Sequence, residues 1–463
     1  MTEQTLSLRS PWNLPERLRQ DSDSFKKLLL LALPIAAQNL VQTLLNMVDT
    51  LMIGQLGETA IAAVALSNQI FFLMMLFLFG VSSGSSVFTA QFWGKRDLDG
   101  IHRSLGMALI LGLLGAALFT AAAQIFPAEI LRIFTKDEAV VQAGIPYLKI
   151  ASISYMFTAG TIIYEGVLRS TGVVRLPLIL SATALSLNAV FNYALIFGKF
   201  GMPEMGISGA AIATTGARII EMTALILLVY IKKYPVAASI KEMLNQNRKF
   251  VGRFFHKVSP VILNEIGWSM GMTMFTLVFA RMGTDILAAF NIMDTFSRLA
   301  FIFFVGTANA AAIILGNMIG EGRKKEAERC AKTILMIVPI LSAAIGVLIF
   351  FLAPLIPGLF NISDYVANLV VQLLRILTIV LFVKASNMHI IVGILRSGGD
   401  THFCAVLELI PLWLISIPLV ALAGLVFHLH PALVYLFCLS EEIAKYITGL
   451  WRVRSEKWVH DLT

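Results

Sequence analysis

Residues 61–92 read IAAVALSNQIFFLMMLFLFGVSSGSSVFTAQF and contain no Asp, Glu, Lys or Arg. About 20 mainly apolar residues are enough for a helix to cross the hydrocarbon core of a bilayer, so this stretch predicts a membrane-spanning helix. The whole 463-residue chain also has the composition of a membrane protein, because 57% of its residues are hydrophobic and only 14% are charged. A soluble domain carries about 25% charge, so the composition excludes a water-soluble globular protein and a disordered one.

Eleven further stretches have similar length and apolar character. The twelve predicted spans are 26–53, 61–92, 104–126, 139–164, 176–198, 207–231, 254–280, 287–318, 333–353, 364–394, 403–427 and 431–451. The sequence therefore predicts an all-α polytopic membrane protein.

The positions of Lys and Arg predict the orientation of the chain. The net charge is +8, and most bases lie in segments on the side of the amino terminus, including 232–257 and 323–332. The segments on the opposite side hold Arg132, Lys136, Lys199 and Arg281. Since cytoplasmic loops carry the excess of basic residues, we expect both termini in the cytoplasm and no role in nucleic-acid binding. The first 25 residues lack the apolar core of a signal peptide, and we expect a multi-pass protein of the cell (inner) membrane.

The chain contains an internal repeat. Aligning Pro34 with Pro260 also aligns, without a gap, three glycines of the first half with three of the second: Gly57 with Gly283, Gly80 with Gly306, and Gly94 with Gly320. The motif LRSTG at 168–172 recurs as LRSGG at 395–399. Six spans per half is an even number, so both halves have the same topology and are related by an axis along the membrane normal, with a substrate path between them.

This repeat predicts five segments. They are an amino-terminal tail at 1–25, an amino-terminal lobe at 26–232, a connector at 233–253, a carboxyl-terminal lobe at 254–451 and a carboxyl-terminal tail at 452–463.

Three motifs resemble those of multidrug and toxic compound extrusion (MATE) transporters of the NorM-like bacterial and archaeal type. NMVDTLMIG at 46–54 resembles the end of their first helix, LNAVFNY at 187–193 their fifth, and GILRSGGDT at 393–401 the end of their tenth. The resemblance implies a MATE-type fold of two six-helix lobes. It also implies secondary antiport, in which cationic and often aromatic drugs leave the cell as Na⁺ or H⁺ enters. We therefore expect a monomeric transporter of small-molecule organic cations in the lipid bilayer, not an enzyme, with no cofactor besides the coupling ion.

An ionisable residue inside a span is costly and is a functional candidate by default. Several such residues have an opposite charge three or four positions away, on the same helix face, which favours a structural ion pair. These pairs are Glu165 with Arg169, Arg218 with Glu221, Asp294 with Arg298, and Glu441 with Lys445. Asp294 stays a candidate for drug or proton binding, because it lies in the outer third of the eighth span.

Asp49 has no such partner, and the residue one turn before it is Asn46. Asn188 and Asn192 share one helix face, since they are four residues apart. Hard cations prefer oxygen ligands, and Asp49, Asn188, Asn192 and Thr214 offer carboxylate, amide and hydroxyl oxygens with a single negative charge. These positions resemble the sodium site of the MATE amino-terminal lobe. Some branches have Asp where this chain has Asn192, which makes a purely protonic relay of two carboxylates less favourable here.

Four charged residues of the second half also lack a partner on their own helix. Glu265 follows Pro260 and matches the seventh-helix carboxylate of the MATE family, which implies drug or proton binding. Glu408 lies near the cytoplasmic face, where its side chain is expected to reach water. Lys384 occupies a region in which some MATE proteins carry an aspartate. For Arg375 and Lys384 we expect a carboxylate of another span as partner, and Lys384 could hold Glu265 in its charged state.

Two other functions remain open from the sequence. A lipid-linked oligosaccharide flippase of related architecture would line its cavity with cations to bind diphosphate. That alternative stays open because the spans contain four basic residues that could do so: Arg218, Arg298, Arg375 and Lys384. An intramembrane enzyme would need a cluster of aspartates or histidines, and the seven histidines are dispersed. The sequence has no Walker-type phosphate loop, so ATP-driven transport is not supported.

Overall fold

The computed structural model describes residues 22–360 and 362–463, so most of the predicted amino-terminal tail (1–25) lies outside the described residues. Twelve long helices follow one another, as the sequence predicts. They are α1 (Ser22–Gly54), α2 (Glu58–Lys95), α3 (Leu98–Ile125), α4 (Glu138–Ser170), α5 (Arg175–Phe197), α6 (Gly206–Ile231), α7 (Arg248–Met282), α8 (Thr284–Gly320), α9 (Lys324–Leu352), α10 (Asp364–Met388, continued by π-helical turns at His389–Leu395), α11 (Thr401–Ile410, continued by alternating π- and α-helical turns to Val426) and α12 (Pro431–Cys438 and Ser440–Arg454).

Ten of the described helices are long and apolar enough to cross a membrane. The two others are α4 and α12. Helix α4 contains Lys149, Glu165 and Arg169, and α12 is interrupted at Leu439. Glu165 of α4 and Lys445 of α12 are buried inside the protein, where polar residues are tolerated at membrane depth.

Four of the repeated glycines lie at turns next to helix ends, two in each half. Gly57 precedes α2 and Gly283 precedes α8, with φ angles of 100° and 145°. Gly172 and Gly399, which follow α4 and α10, have φ angles of 86° and 78°. Positive φ favours glycine because it has no Cβ to clash with the backbone. The repeat therefore preserves positions where the chain must turn between spans.

The helices form two pseudo-symmetric six-helix lobes. Helices α1–α6 pack on one another, and α7–α12 do the same. The lobes meet where α1 contacts α8 and where α2 contacts α7, two pairs that the repeat relates to each other, and α2 also contacts α8. We name the end of the bundle that carries the link between α6 and α7 the connector end.

The lobes approach most closely in the halves of these helices nearest the connector end. Glycines of one lobe lie against the other lobe in contacts that obey the repeat. The contacts are Gly80 with Ile262, Gly306 with Ala36, Gly94 with Asn317, and Gly320 with Gln91. Small residues permit such close helix approach in membranes. The bundle is therefore closed at the connector end.

The link between the lobes differs from the predicted connector at 233–253. Helix α7 begins at Arg248, because the Asn247 side chain accepts a hydrogen bond from the Lys249 backbone N–H and caps the helix. A short helix, Ile240–Leu244, lies within the link. The sequence places the start of α7 at 254 because the first turns of the helix are polar.

The carboxyl-terminal segment is packed onto the bundle. Helix α12 continues to Arg454, and residues 455–463 follow it. Trp458 is fully buried in a hydrophobic cluster formed mainly by the carboxyl-terminal lobe. Leu462 is buried in a cluster formed mainly by the amino-terminal lobe. The Gln91 side chain donates hydrogen bonds to the carbonyl oxygens of Ser397 and His460. The segment thus joins both lobes at the connector end.

Asp400 anchors this segment from the turn between α10 and α11. Its carboxylate forms an ion pair of 2.6 Å with Arg452 and lies 3.8 Å from His460. Burial acts to raise the pKa of Asp400, but the nearby His460 and the hydrogen bonds and charge of Arg452 outweigh it, so this pKa lies below its usual value. The carboxylate is therefore ionised at neutral pH, as the ion pair requires.

Candidate functional site

The structure brings the four predicted cation ligands of the amino-terminal lobe together. Asp49 lies five residues before the end of α1, and Asn192 donates a hydrogen bond of 2.7 Å from its Nδ2 to Asp49 Oδ1. Asn188 is one turn earlier on α5 and shares the face of Asn192. Thr214 lies beside Asn188 from α6. Residues far apart in the sequence therefore meet around one carboxylate.

The orientation of the Asn188 amide follows from its neighbours. When its nitrogen faces Asp49, that nitrogen donates to Asp49 Oδ2 at 2.9 Å and to Oδ1 at 3.2 Å. The amide oxygen then accepts from Thr214 Oγ1 at 3.3 Å and from the Thr214 backbone N–H at 3.2 Å. Such an assignment rests on the hydrogen-bond network. Both asparagines thus present donors to the carboxylate, while Asn192 Oδ1 is buried and accepts no hydrogen bond.

A cavity of about 550 Å³ opens beside this carboxylate. Besides Asp49 and the two asparagines, its walls contain four aromatic residues of α2 and α4: Phe71, Phe72, Tyr147 and Tyr155. A volume of 300–1,000 Å³ is typical of pockets that bind drug-sized ligands. Aromatic faces attract organic cations through their quadrupoles. Arg218 and Glu221, which pair with each other, also line the cavity, so the site combines the Asp49 carboxylate with surfaces suited to a large aromatic cation.

The second-lobe candidates do not share one site. Glu265 forms an ion pair of 2.7 Å with Arg396, so the suggestion that Lys384 holds it is wrong. Lys384 instead lies over the Phe301 ring, 5.2 Å from its centroid. Asp294 is paired with Arg298 at 2.8 Å, as the spacing predicts, and both side chains are exposed. The three candidates therefore have three different surroundings.

The surroundings of Glu408 and Arg375 also differ from those that the sequence predicts. Glu408 is largely buried, accepts a hydrogen bond from Asn264 and lies 3.7 Å from Arg396, so its side chain does not extend to water. Arg375 lies over the Phe350 ring, 5.0 Å from its centroid, rather than against a carboxylate. The sequence missed Arg396 as a partner because the LRSGG motif places it at the end of a span, where a base is expected to face the cytoplasm. The repeat is the signal that could have indicated it.

The sequence also missed a polar cavity next to the Asp49 cavity. It has a volume of about 200 Å³, and its walls include residues of both lobes. Glu165, Arg169 and Arg396 line it, and Arg218 and Glu221 line both cavities. All four local ion pairs predicted inside the spans are present in the structure. Two of them, Glu165 with Arg169 and Arg218 with Glu221, meet at this polar cavity.

The chain is similar to known proteins in both sequence and fold. The MatE family model matches residues 34–194 and 260–422, one match in each lobe. A "Probable multidrug resistance protein NorM" of Rhizobium meliloti is 32% identical over 337 residues, which cover 71% of this chain and 70% of that protein. An "Uncharacterized transporter YisQ" of Bacillus subtilis is 26% identical and covers 96% of this chain and 97% of that protein. A crystal structure of MATE in the bent conformation has a TM-score of 0.84 at 20% identity, covering 96% of this chain and 98% of that one.

Proposed function

The chain belongs to the MatE family of efflux transporters, and on that premise we propose that it exchanges organic cations for Na⁺ or H⁺ at Asp49. The observation that carries the proposal is the Asp49 carboxylate, held by two amides rather than by an arginine, in the wall of a cavity lined with aromatic rings. One carboxylate at this position can bind a proton, a sodium ion or an organic cation. Competition for that charge couples entry of the ion to release of the drug.

Rotation of the asparagine amides supplies the switch in this proposal. In the observed arrangement the amide nitrogens face Asp49 and satisfy its charge. Sodium prefers oxygen ligands, so binding of Na⁺ would turn the amide oxygens of Asn188 and Asn192 toward the ion. Asn192 Oδ1 has no hydrogen bond to lose in that rotation. A proton on Asp49 would require a similar change, because a protonated carboxyl also donates.

The packing of the lobes supports alternating access. The close contacts of Gly94 and Gly320 lie at the connector end, whereas Asp49 lies near the opposite end of α1. In the proposed orientation the connector end and both termini face the cytoplasm, so this state is closed inward. A ligand shifts such an equilibrium only through its differential affinity for the two states. Binding of Na⁺ or H⁺ from outside would therefore favour the state that releases drug outward, in a monomer of the cell membrane.

The flippase alternative receives no support from the four basic residues that suggested it. Arg218 is paired with Glu221, and Arg298 with Asp294. Arg375 and Lys384 lie over phenyl rings. A diphosphate would have to compete with these partners for each cation, so the charged groups present do not form a preorganised phosphate site.

The test is Asp49→Asn in reconstituted vesicles, with a Na⁺ gradient or a pH gradient imposed separately on a fluorescent cationic dye. The substitution keeps the shape of the side chain and removes its charge. We expect dye transport driven by either gradient to fall at least about tenfold, which corresponds to a rise of about 1.4 kcal/mol in the barrier to transport. Stabilisation by Na⁺ against heating, about 2.7 kcal/mol at a hundredfold excess over the dissociation constant, should also disappear.

Glu58→Gln is the matched control, because it removes an exposed carboxylate at the same end of the bundle without altering the site. It should transport like the parent protein. Glu265→Gln should weaken dye handling more than it weakens stabilisation by Na⁺. Full transport by the Asp49→Asn protein under either gradient would refute the proposal and direct attention to Glu265.

A further inference from the structure

Two buried glutamates of the amino-terminal lobe meet at one serine. Ser181 of α5 lies with its Oγ 3.0 Å from Glu165 Oε1 of α4 and 2.7 Å from Glu221 Oε1 of α6. All three residues are less than 9% exposed. The Gln38 amide nitrogen of α1 lies 3.0 Å from the same Oγ, and 3.1 Å from both carboxylate oxygens of Glu165.

Each glutamate uses its other oxygen for an arginine of its own helix. Arg169 Nη2 lies 2.6 Å from Glu165 Oε2, and Arg218 Nη1 lies 2.8 Å from Glu221 Oε2. The two Oε1 atoms are thus the ones that point to the serine. The ion pairs hold both carboxyl groups in place, so their approach to Ser181 is fixed by three helices at once.

The contacts of this cluster contain more oxygen pairs than the single serine hydrogen can bridge. A serine hydroxyl has one hydrogen to donate and two lone pairs that accept. The single hydroxyl hydrogen can therefore serve only one of the two Oε1 atoms, while the Gln38 amide nitrogen donates toward both Ser181 Oγ and Glu165 Oε1. The other Oε1 then faces a lone pair of the serine oxygen, unless that carboxyl carries its own proton and donates it. Two acceptor oxygens at about hydrogen-bond distance repel each other when no hydrogen lies between them, so the geometry favours a protonated glutamate.

The groups around the cluster are compatible with binding and release of this proton. The charged residues lining the polar cavity are Glu165, Glu221, Arg169, Arg218 and Arg396. The four residues of the two ion pairs have a net charge of zero without the proton and +1 with it. Arg396 is itself paired with Glu265, so it adds no further charge, and proton binding takes the cluster from neutral to +1. The Arg169 side chain is 27% exposed, which connects the cluster to solvent near the inner end of α4.

We propose that Glu165 and Glu221 bind one exchangeable proton between them through Ser181, and so form a second proton site in the amino-terminal lobe. Arg218 and Glu221 line both cavities, which links this site to Asp49. A proton that leaves Asp49 can therefore reach the connector end through Glu221, Ser181 and Glu165. This relay role rests on the antiport proposed above, whereas the binding of the proton does not.

Infrared spectroscopy of the full-length protein in lipid nanodiscs tests the proposal. A protonated carboxylic acid has a C=O stretching band that a carboxylate lacks. At neutral pH the parent protein should show such a band, and it should shift when only the glutamate side-chain carboxyl groups carry ¹³C. That labelling needs no substitution and separates glutamate from Asp49. The band should be lost in Glu165→Gln and in Glu221→Gln, and should change frequency in Ser181→Ala, which removes the bridge.

Two controls separate this proposal from the proposed antiport. Glu138→Gln removes an exposed glutamate that is also paired with an arginine, and it should keep the band. Asp49→Asn should keep the band even though it stops transport. Absence of the band in the ¹³C-sensitive region of the parent protein would overturn the second site and leave the role of Asp49 intact. Retention of the band in both glutamine variants would do the same.

Discussion

Single glycines set the distance between the two lobes. A Cβ on Gly320 would collide with the carbonyl oxygen of Gln91, and a Cβ on Gly94 would collide with that of Asn317. The two contacts are equivalent under the internal repeat, so the same device operates twice. In both cases the atom opposite is backbone, which cannot rotate away as a side chain can. The close approach at the connector end is therefore incompatible with any larger residue.

We predict that Gly320→Ala opens this contact and destabilises the closed state by about 1–3 kcal/mol, the usual cost of overpacking. Alanine is otherwise the better helix former by about 0.5–1 kcal/mol, so a loss of stability must come from the collision. Thermal unfolding of the purified protein measures the effect. Gly252→Ala on α7 is the matched control, since no atom lies within 4 Å of its Cβ position. Equal melting temperatures for the two variants would show that the lobes are not held at this distance.

Among the elements, the short segment after α12 makes many of the contacts that join the two lobes. Residues 455–463 place Trp458 in one hydrophobic cluster and Leu462 in another, and their backbone bonds to Gln91 and Gly398. Arg253 of α7 donates to the Leu462 carbonyl oxygen. The segment therefore stabilises the arrangement in which the lobes are closed at the connector end. Its release would have to accompany opening at that end.

We predict that Trp458→Ala lowers the free energy of unfolding by about 3–5 kcal/mol, the usual cost of deleting a large aromatic side chain from a core. Trp451→Ala on α12 is the control, because that ring is 59% exposed, and its removal should cost no more than about 0.5 kcal/mol. Thermal or denaturant unfolding in detergent compares them. If both variants lose equal stability, the segment is not anchored by Trp458.

For the whole molecule, the distribution of charge predicts the direction of insertion. The connector end holds most of the lysines and arginines, and the opposite end has few. Basic loops are retained in the cytoplasm, so the connector end should face inward. The closed contacts at that end and the Asp49 site toward the other end would then describe one state of the proposed alternating cycle.

We predict that a cysteine at Glu58 reacts with an impermeant thiol reagent added to intact cells, and that a cysteine at Asn245 does not. Both positions are exposed in the structure. Cys330, Cys404 and Cys438 are buried, so the background labelling should be low. Permeabilised cells provide the control in which Asn245→Cys must react. External labelling at 245 would contradict the predicted orientation.

The sequence alone determined the features that depend on neighbouring residues. Apolar stretches of sufficient length indicate spans, and charges three or four positions apart on one helix indicate ion pairs such as that of Glu441 and Lys445, which is present. The repeat and the motifs around Asp49, Asn188 and Asn192 predicted the family, and its match is confirmed in both halves. The signals for spans and ion pairs are local, because each is set by the geometry of a single helix.

Only the tertiary structure decided which residues meet between helices. The pairing of Glu265 with Arg396, the meeting of Glu165 and Glu221 at Ser181, and the docking of Trp458 each join distant segments. Such contacts depend on the depth and rotation of every helix, and these are set by the packing of whole faces against each other. A glutamate beside an arginine on its own helix therefore looks fully paired in the sequence. The second oxygen of its carboxylate finds a partner only when the lobe is assembled.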